Sequence, residues 1–214
     1  MKKTFKPGAV LSPVPVVMVS CGSAEEKNII TIAWTGIINS NPPLTYVSVR
    51  KSRHSHKLIA DSGEFVINLV NEPLTFAADY CGVKSGRELD KFDKLKLTAI
   101  PAEKLDCPMI AESPVNLECK VREVREYPSH DMFVAEIVNV HTDEELVDEK
   151  GRIDFAAARL VAYVHGEYLG VKSNPLGSFG YSVMKPKTKK RLGKQRHNER
   201  VERNRKKREA RRTT

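Results

Sequence analysis

The sequence predicts a mainly β protein: an antiparallel β-barrel with short helices, followed by a basic C-terminal extension. Eight short runs rich in Val, Ile, Leu and aromatic residues alternate with turn residues, and only two stretches read as helix. No G-x-G-x-x-G follows any of these runs, so a Rossmann-type dinucleotide site is not expected. Closing the strands into a barrel also hides edges that would otherwise pair with other chains.

In chain order, residues 14–21 read as the first strand, ended by a turn at Gly22-Ser23. Residues 29–37 and 44–49 are two more, joined by Asn41-Pro42-Pro43, which forbids helix. Residues 52–61 form a short helix with Ser52 as N-cap and Gly63 closing it. A strand over 65–69 follows, then a helix from Pro73 to Tyr80. Residues 82–92 are a polar, glycine-bearing loop. The second half is strand-rich, at 95–100, 115–124, 132–140 and 160–164. There is no internal repeat and no transmembrane span. Residues 1–184 are expected to form one domain, and residues 185–214 a tail that is disordered or helical.

The net charge of +9 is unevenly carried. Residues 185–214 hold fifteen Lys or Arg against three Glu, a local balance of +12, which leaves −3 for residues 1–184. Basicity therefore belongs to the tail. The four cysteines show neither paired spacing nor C-x-x-C, which reads as reduced thiols in a cytoplasmic protein. Lys2, Lys3 and Lys6 ahead of an apolar run ending at Cys21 imitate an export signal. Pro13 and Pro15 break that run, and it is too short to span a bilayer, so it reads as a strand entering the core.

The most informative stretch is 28–55. It places the only tryptophan, Trp34, between Thr31 and Thr35, and then delivers Ser48, Arg50, Lys51, Ser52 and Ser55 together. One end suits a flat aromatic ligand. The other suits a phosphate, helped by the N-terminus of the expected helix. A phosphorylated aromatic cofactor meets both demands, and flavin mononucleotide (FMN) is the best candidate. Trp34, with Asn28 and Thr35 as polar neighbours, is a ring or ribityl contact; core packing is the competing reading. For Ser52 and Ser55 the competing reading is helix capping. His141 and His165 lack carboxylate or cysteine partners at ligand spacing, so no metal site is assigned.

The motifs extend well beyond this stretch. N-I-I-T-I-A-W-T-G (28–36), N-P-P-L-T-Y-V-S-V-R-K (41–51) and G-E-F-V-I-N-L (63–69) are followed by D-Y-C-G-V-K-S-G-R-E-L-D-K-F (79–92). Then come C-P-M-I-A-E-S-P-V-N-L-E-C-K-V (107–121), S-H-D-M-F-V-A-E-I-V (129–138), Y-V-H-G-E-Y-L (163–169) and L-G-S-F-G-Y-S-V (176–183). In this order they resemble the flavoredoxin branch of the flavin reductase-like family across residues 8–184. The resemblance implies an FMN-binding split β-barrel, usually a homodimer with the cofactor near the subunit interface. It implies that Asn28, Trp34, Ser55, Lys91, His130 and Tyr163 help hold the flavin. Ser55 stands where threonine is frequent, and Tyr163 where phenylalanine occurs. A cation at Lys91, near the N1–C2=O edge, would stabilise an anionic reduced ring; a solvated loop lysine is the competing reading. Cys81 falls in a loop near the cofactor, where a redox role competes with a buried structural thiol.

The expected function is electron transfer from NADH or NADPH, or from a redox partner, through bound FMN to a protein or small-molecule acceptor. No side-chain acid or base is needed for the hydride step, so no catalytic residue is assigned. One alternative is an electron carrier without nicotinamide activity. Another is a nucleic-acid-binding protein acting through the basic tail. That tail could meet RNA, DNA or an anionic membrane. Its aliphatics are too few for deep insertion and no aromatics interleave for base stacking, which leaves nonspecific phosphate contact.

Overall fold

The first apolar run becomes two strands, β1 (Val14–Pro15) and β2 (Val17–Gly22), parted at Val16. The run expected over 29–37 is likewise divided, into β3 (Lys27–Ile32) and β4 (Thr35–Ser40), parted at Ala33 and Trp34. Next come β5 (Pro43–Val49), α1 (His54–Ser62), β6 (Glu64–Leu69), α2 (Thr75–Val83) and α3 (Lys91–Leu95). The second half holds β7 (Ala99–Ile100), β8 (Met109–Ile110), β9 (Val115–Glu126), β10 (Asp131–Thr142), β11 (Val161–Val164) and β12 (Glu167–Gly170). The structure is a computed structural model that describes residues 1–172, 174–188, 190, 191, 193, 194 and 201. The chain divides into two units, Met1–Ser173 and Asn174–Thr214. The second unit holds a 3-10 turn at Tyr181–Val183, and most of the basic tail lies outside the described residues.

Seven strands form one antiparallel sheet in the order β3-β2-β6-β9-β10-β5-β4. Laid flat, its edges would stand about 29 Å apart at ~4.8 Å per strand. Those edges, β3 and β4, are consecutive in the chain and joined only by Ala33 and Trp34, a link that reaches at most about 10 Å. The sheet must therefore curl until its edges approach, giving a barrel with a seam at Trp34. The Ser48 N–H donates to the Trp34 carbonyl at 3.0 Å and pins the crossing. Periodicity cannot show this break, because I-I-T-I-A-W-T-G-I-I is apolar on both sides of it. Barrel closure decides.

Alternation along β2 sends Val17, Val19 and Cys21 into the barrel against Ile30, Val47, Phe65 and Phe133. The opposite face, with Met18 and Ile29, packs under Leu74, Ala77, Ala78 and Cys81 of the α2 region. Each such fully buried Val, Ile or Phe contributes about 1.5–3 kcal/mol. A three-stranded sheet, β1-β11-β12, and the pair β7-β8 complete the β structure of the described residues.

Several boundaries differ from the sequence reading for local reasons. The chain first turns over 50–53, with the Arg53 N–H donating to the Arg50 carbonyl at 3.0 Å. Helix α1 then starts at His54, and its N-cap is Arg53, which makes no side-chain cap bond; Ser52 is not the cap. Gly63 does close α1, at φ 67°, with its N–H on the Ile59 carbonyl. The Pro73 segment opens as a 3-10 turn at Glu72–Leu74 and continues as α2 past Tyr80. Residues 95–100 are mostly not strand. Asp90 accepts from the Phe92 and Asp93 N–H groups and nucleates α3, so only Ala99–Ile100 remains extended. Strands β8 and β12 lie outside the expected runs.

Candidate flavin site

Two cavities open beside the seam and share Ile30, Arg50 and Arg53 in their walls. The first, about 380 Å³, is lined by Val16, Ile32, Ala33, Trp34, Tyr163 and Tyr168, with Thr31, Ser48, Asp79 and His130 as its polar groups. The second, about 540 Å³, is lined by Asn28, Ser52, Ser55, Lys84, Arg87 and Lys91 among others. Both lie in the size range of small-molecule sites.

Trp34 is 46% exposed, which decides against core packing. His130 stands edge-on to it, with ring centroids 4.7 Å apart and planes at 68°. The His130 Nδ1 lies 2.8 Å from the Ser129 hydroxyl. Burial, and then the charge of Arg50, hold the His130 pKa below its ordinary value. At neutral pH the imidazole is therefore uncharged, with one nitrogen donating and the other accepting. Tyr163 meets Tyr168 edge-on at 5.6 Å, and the Tyr168 hydroxyl donates to Asp79 Oδ1 at 3.1 Å.

The polar cavity is held by short-range fit. Asn28 Nδ2 donates to Ser55 Oγ at 2.7 Å, and both side chains are buried. A Cβ on Gly86 would stand 2.1 Å from Asn28 Oδ1, so glycine is what lets the 84–90 loop lie against this pair. Arg87 Nη1 donates to the Ser52 carbonyl at 3.0 Å, tying that loop to the 50–53 turn. Lys91 is buried, and its ammonium donates to the carbonyls of Ile29 at 2.6 Å and Cys81 at 2.9 Å. It is not a solvated loop lysine. Burial holds its pKa below the usual lysine value, with Cys81 opposing and Arg53 reinforcing the shift. The first turn of α1 contains no acidic residue and no side-chain cap, and His54 and Ser55 line the cavity. Its uncovered N–H groups favour an anion there.

Of the residues expected at the site, Asn28, Ser52, Ser55 and Lys91 line the polar cavity, and Thr31, Trp34, Ser48, His130 and Tyr163 the apolar one, with Arg50 in both. Thr31 also donates its hydroxyl to the Ala78 carbonyl. Thr35 lines neither: it is buried on β4, and its hydroxyl donates to the Tyr46 carbonyl within the sheet. Lys51 also points away: it sits in the 50–53 turn and pairs with Glu126 at 2.9 Å and Asp131 at 3.2 Å. Asp131 in turn meets His56 at 2.7 Å. His141 has a carboxylate partner after all: its Nε2 lies 2.5 Å from Glu118 Oε1 across the β9–β10 ladder. Arg53, Lys84, Arg87 and Tyr168 were not expected at the site. Lys84 and Arg87 sit in V-K-S-G-R, which polarity marks only as a loop.

All four cysteines are free and buried. Burial pushes the Cys81 thiol up to about 11, against the opposing charge of Lys91, and the Cys21 thiol up to about 12. Cys107 and Cys119 are raised by the same cause. Thiolate is the reactive form, so Cys81 reads as structural. In a colorimetric thiol assay at neutral pH, the native protein is expected to show no fast-reacting cysteine, and all four should react once it is unfolded. A rapid native thiol would restore the redox reading of Cys81.

A barrel closed at one seam, with an apolar cavity meeting a cationic one beside that seam, is the architecture of the flavin reductase-like split barrels. The chain belongs to the family described as "Flavin reductase like domain", which matches residues 10–172. The flavoredoxin of Desulfovibrio vulgaris (Miyazaki F) has a similar structure, with TM-score 0.80 and 31% identity, covering 85% of this chain and 100% of that one. The flavoredoxin of Methanosarcina acetivorans aligns with TM-score 0.77 and 28% identity, over 86% of this chain and 100% of that one. An uncharacterized protein of Archaeoglobus fulgidus is 32% identical over 145 residues, 68% of this chain and 81% of that protein. Among the described residues no helix is long and apolar enough to cross a membrane.

Proposed function

We propose that the protein is an FMN flavoprotein that passes electrons from a nicotinamide nucleotide through the bound cofactor to a protein or small-molecule acceptor. The observation that carries this reading is the junction of the two cavities at Ile30, Arg50 and Arg53. A flat ring fits against Trp34, Ile32 and Tyr163, while a phosphate fits among the 50–53 turn, the open end of α1 and the 84–90 loop. When bound, FMN supplies the two-electron chemistry. Asn28 and Ser55 hold each other in place for polar contacts to it. Neutral His130 offers one donor and one acceptor at the mouth of the apolar cavity. Lys91 adds a buried positive charge to the polar cavity, which favours the phosphate.

The similarity to flavoredoxins supports the cofactor class, and the flavin reductase family supports the nicotinamide donor. We assign residues 1–184 to the flavoprotein domain and 185–214 to a tail, since the Desulfovibrio flavoredoxin is covered in full by 85% of this chain. Free thiols suit a reducing, cytoplasmic setting. Exposed Ile37 and Ile38 on β4, beside Trp34, supply apolar surface for a homodimer close to the seam. The visible spectrum of the purified protein should show bound flavin, or acquire it on adding FMN, and should bleach anaerobically with NADH or NADPH. Flavin that stays oxidised with both donors would leave an electron carrier fed by a partner protein. Absence of FMN uptake would overturn the cofactor reading.

A further inference from the structure

Charge pairing on this barrel is uneven. Away from the site, several exposed cations are paired: Lys51 with Glu126 and Asp131, Arg122 with Glu136, Arg125 with Glu123. At the polar cavity they are not. Arg50, Arg53, Lys84 and Arg87 all line it, and none has a carboxylate partner among the described residues. With Lys91, five cations face a single acid, Glu88, a balance of +4. A phosphate monoester carries about −1.5 to −2 at neutral pH. One FMN phosphate therefore leaves roughly two positive charges unmatched in the same cavity.

The cations lie at two depths. Lys91 is buried, whereas Lys84 and Arg87 are exposed on the 84–90 loop at the rim. That loop is held by the close seat of Gly86 on Asn28 and by the Arg87 to Ser52 bond. The outer cations are thus presented in a fixed place, which lowers the ordering cost of binding. Arg87 spends only Nη1 on the protein, so most of its fork of donors is left for an anion. The field of the cluster is already felt by its neighbours: Arg53 acts on Lys91, and Arg50 on His130.

We propose that the rim cations Lys84 and Arg87 read a second phosphate monoester, the 2′-phosphate that distinguishes NADPH from NADH, and that the electron donor is NADPH. The proposal rests on the FMN reading, with the FMN phosphate taking the inner charges and the donor's phosphate the outer ones. It adds a donor choice and two selectivity residues that the fold alone does not supply.

The test is a calorimetric titration of full-length, FMN-loaded protein with NADP+ and with NAD+, which differ only in that phosphate. NADP+ is expected to bind at least about tenfold more tightly, the effect of one charge-assisted contact. Arg87→Ser, titrated as its FMN-loaded fraction, should bring the two affinities close together. Lys84→Ser, whose ammonium bonds no protein group among the described residues, should narrow the ratio without disturbing the loop. Equal affinities in the native protein overturn the proposal. So does a preference that survives both substitutions, because the extra phosphate would then be read elsewhere, as by the basic tail. A protein that takes up no FMN fails at the loading step, which identifies the cofactor reading as the fault and removes this proposal with it.

Discussion

Replacing Glu118 by leucine is expected to lower the unfolding free energy by about 3–5 kcal/mol, the cost of breaking a buried charged network from one side. Glu118 is fully buried in β9. Its Oε1 accepts from the Glu103 N–H at 3.0 Å, from Asn139 Nδ2 at 3.1 Å and from His141 Nε2 at 2.5 Å. Its Oε2 accepts from the Lys104 N–H at 2.7 Å. Leucine would strand these donors. Glu103, Glu118 and His141 place ligand atoms within 4.8 Å of one another, but the carboxylate is already filled by hydrogen bonds and reads as a structural hub. The measurement is a denaturant midpoint that moves down at unchanged slope. A variant as stable as the native protein would show that the network contributes nothing net.

The same residue should shape the acid limb of stability. Burial alone would raise the Glu118 pKa. The bonds from His141, the Glu103 and Lys104 amides and Asn139 outweigh it and hold the group below its ordinary 4.5. The unfolded chain then binds this proton first as pH falls. The stabilisation is complete above the unfolded pKa and is lost as pH falls through the folded one. Stability profiles of the native protein and Glu118→Leu should accordingly converge toward acid.

Lys91→Met should separate binding from folding. Losing one charge-assisted contact weakens FMN binding by about tenfold to a hundredfold. Stability should change by no more than about 1 kcal/mol, because two lost hydrogen bonds are offset by relief of a buried charge. That burial is visible in the lowered Lys91 pKa. In the window between the folded pKa and 10.5, the unfolded chain holds the lysine proton more tightly. Native stability should therefore rise with pH there, and the methionine variant should lack that rise. Unchanged FMN affinity together with a large loss of stability would make Lys91 a purely structural residue.

The sequence shows the β-rich class, the Gly63 helix stop and part of the cavity walls, where each is written in local chemistry. Trp34 and Ser55 are found on the site for that reason, whereas Lys91 is reached through the family resemblance. What stays hidden depends on distant closure. The break at Ala33 and Trp34 follows from joining the two sheet edges, and nothing in the apolar run marks it. The Glu118–His141 pair depends on the β9–β10 register, which is offset by irregularities near Val134 and Ile137. Thr35 and Lys51 sit in the right stretch but face the wrong way: one residue along strand β4 reverses the Thr35 side chain, and the 50–53 turn carries Lys51 to Glu126 and Asp131. Asp90 shows the opposite failing: a good cap lay in plain view, and polarity still read its helix as loop.

The seam also bears on how this scaffold diversifies. Part of the ligand walls comes from places where regular pairing stops: the Ala33–Trp34 crossing, the 50–53 turn, the 84–90 loop and His130 just before β10, beside ladder residues such as Asn28, Ile30 and Ser48. Ladder residues set strand register, whereas these interruptions carry few register-setting bonds. Substitutions there can retune what is bound while the barrel's pairing stays intact. The architecture thus separates heritable change in ligand preference from the integrity of the fold that presents it.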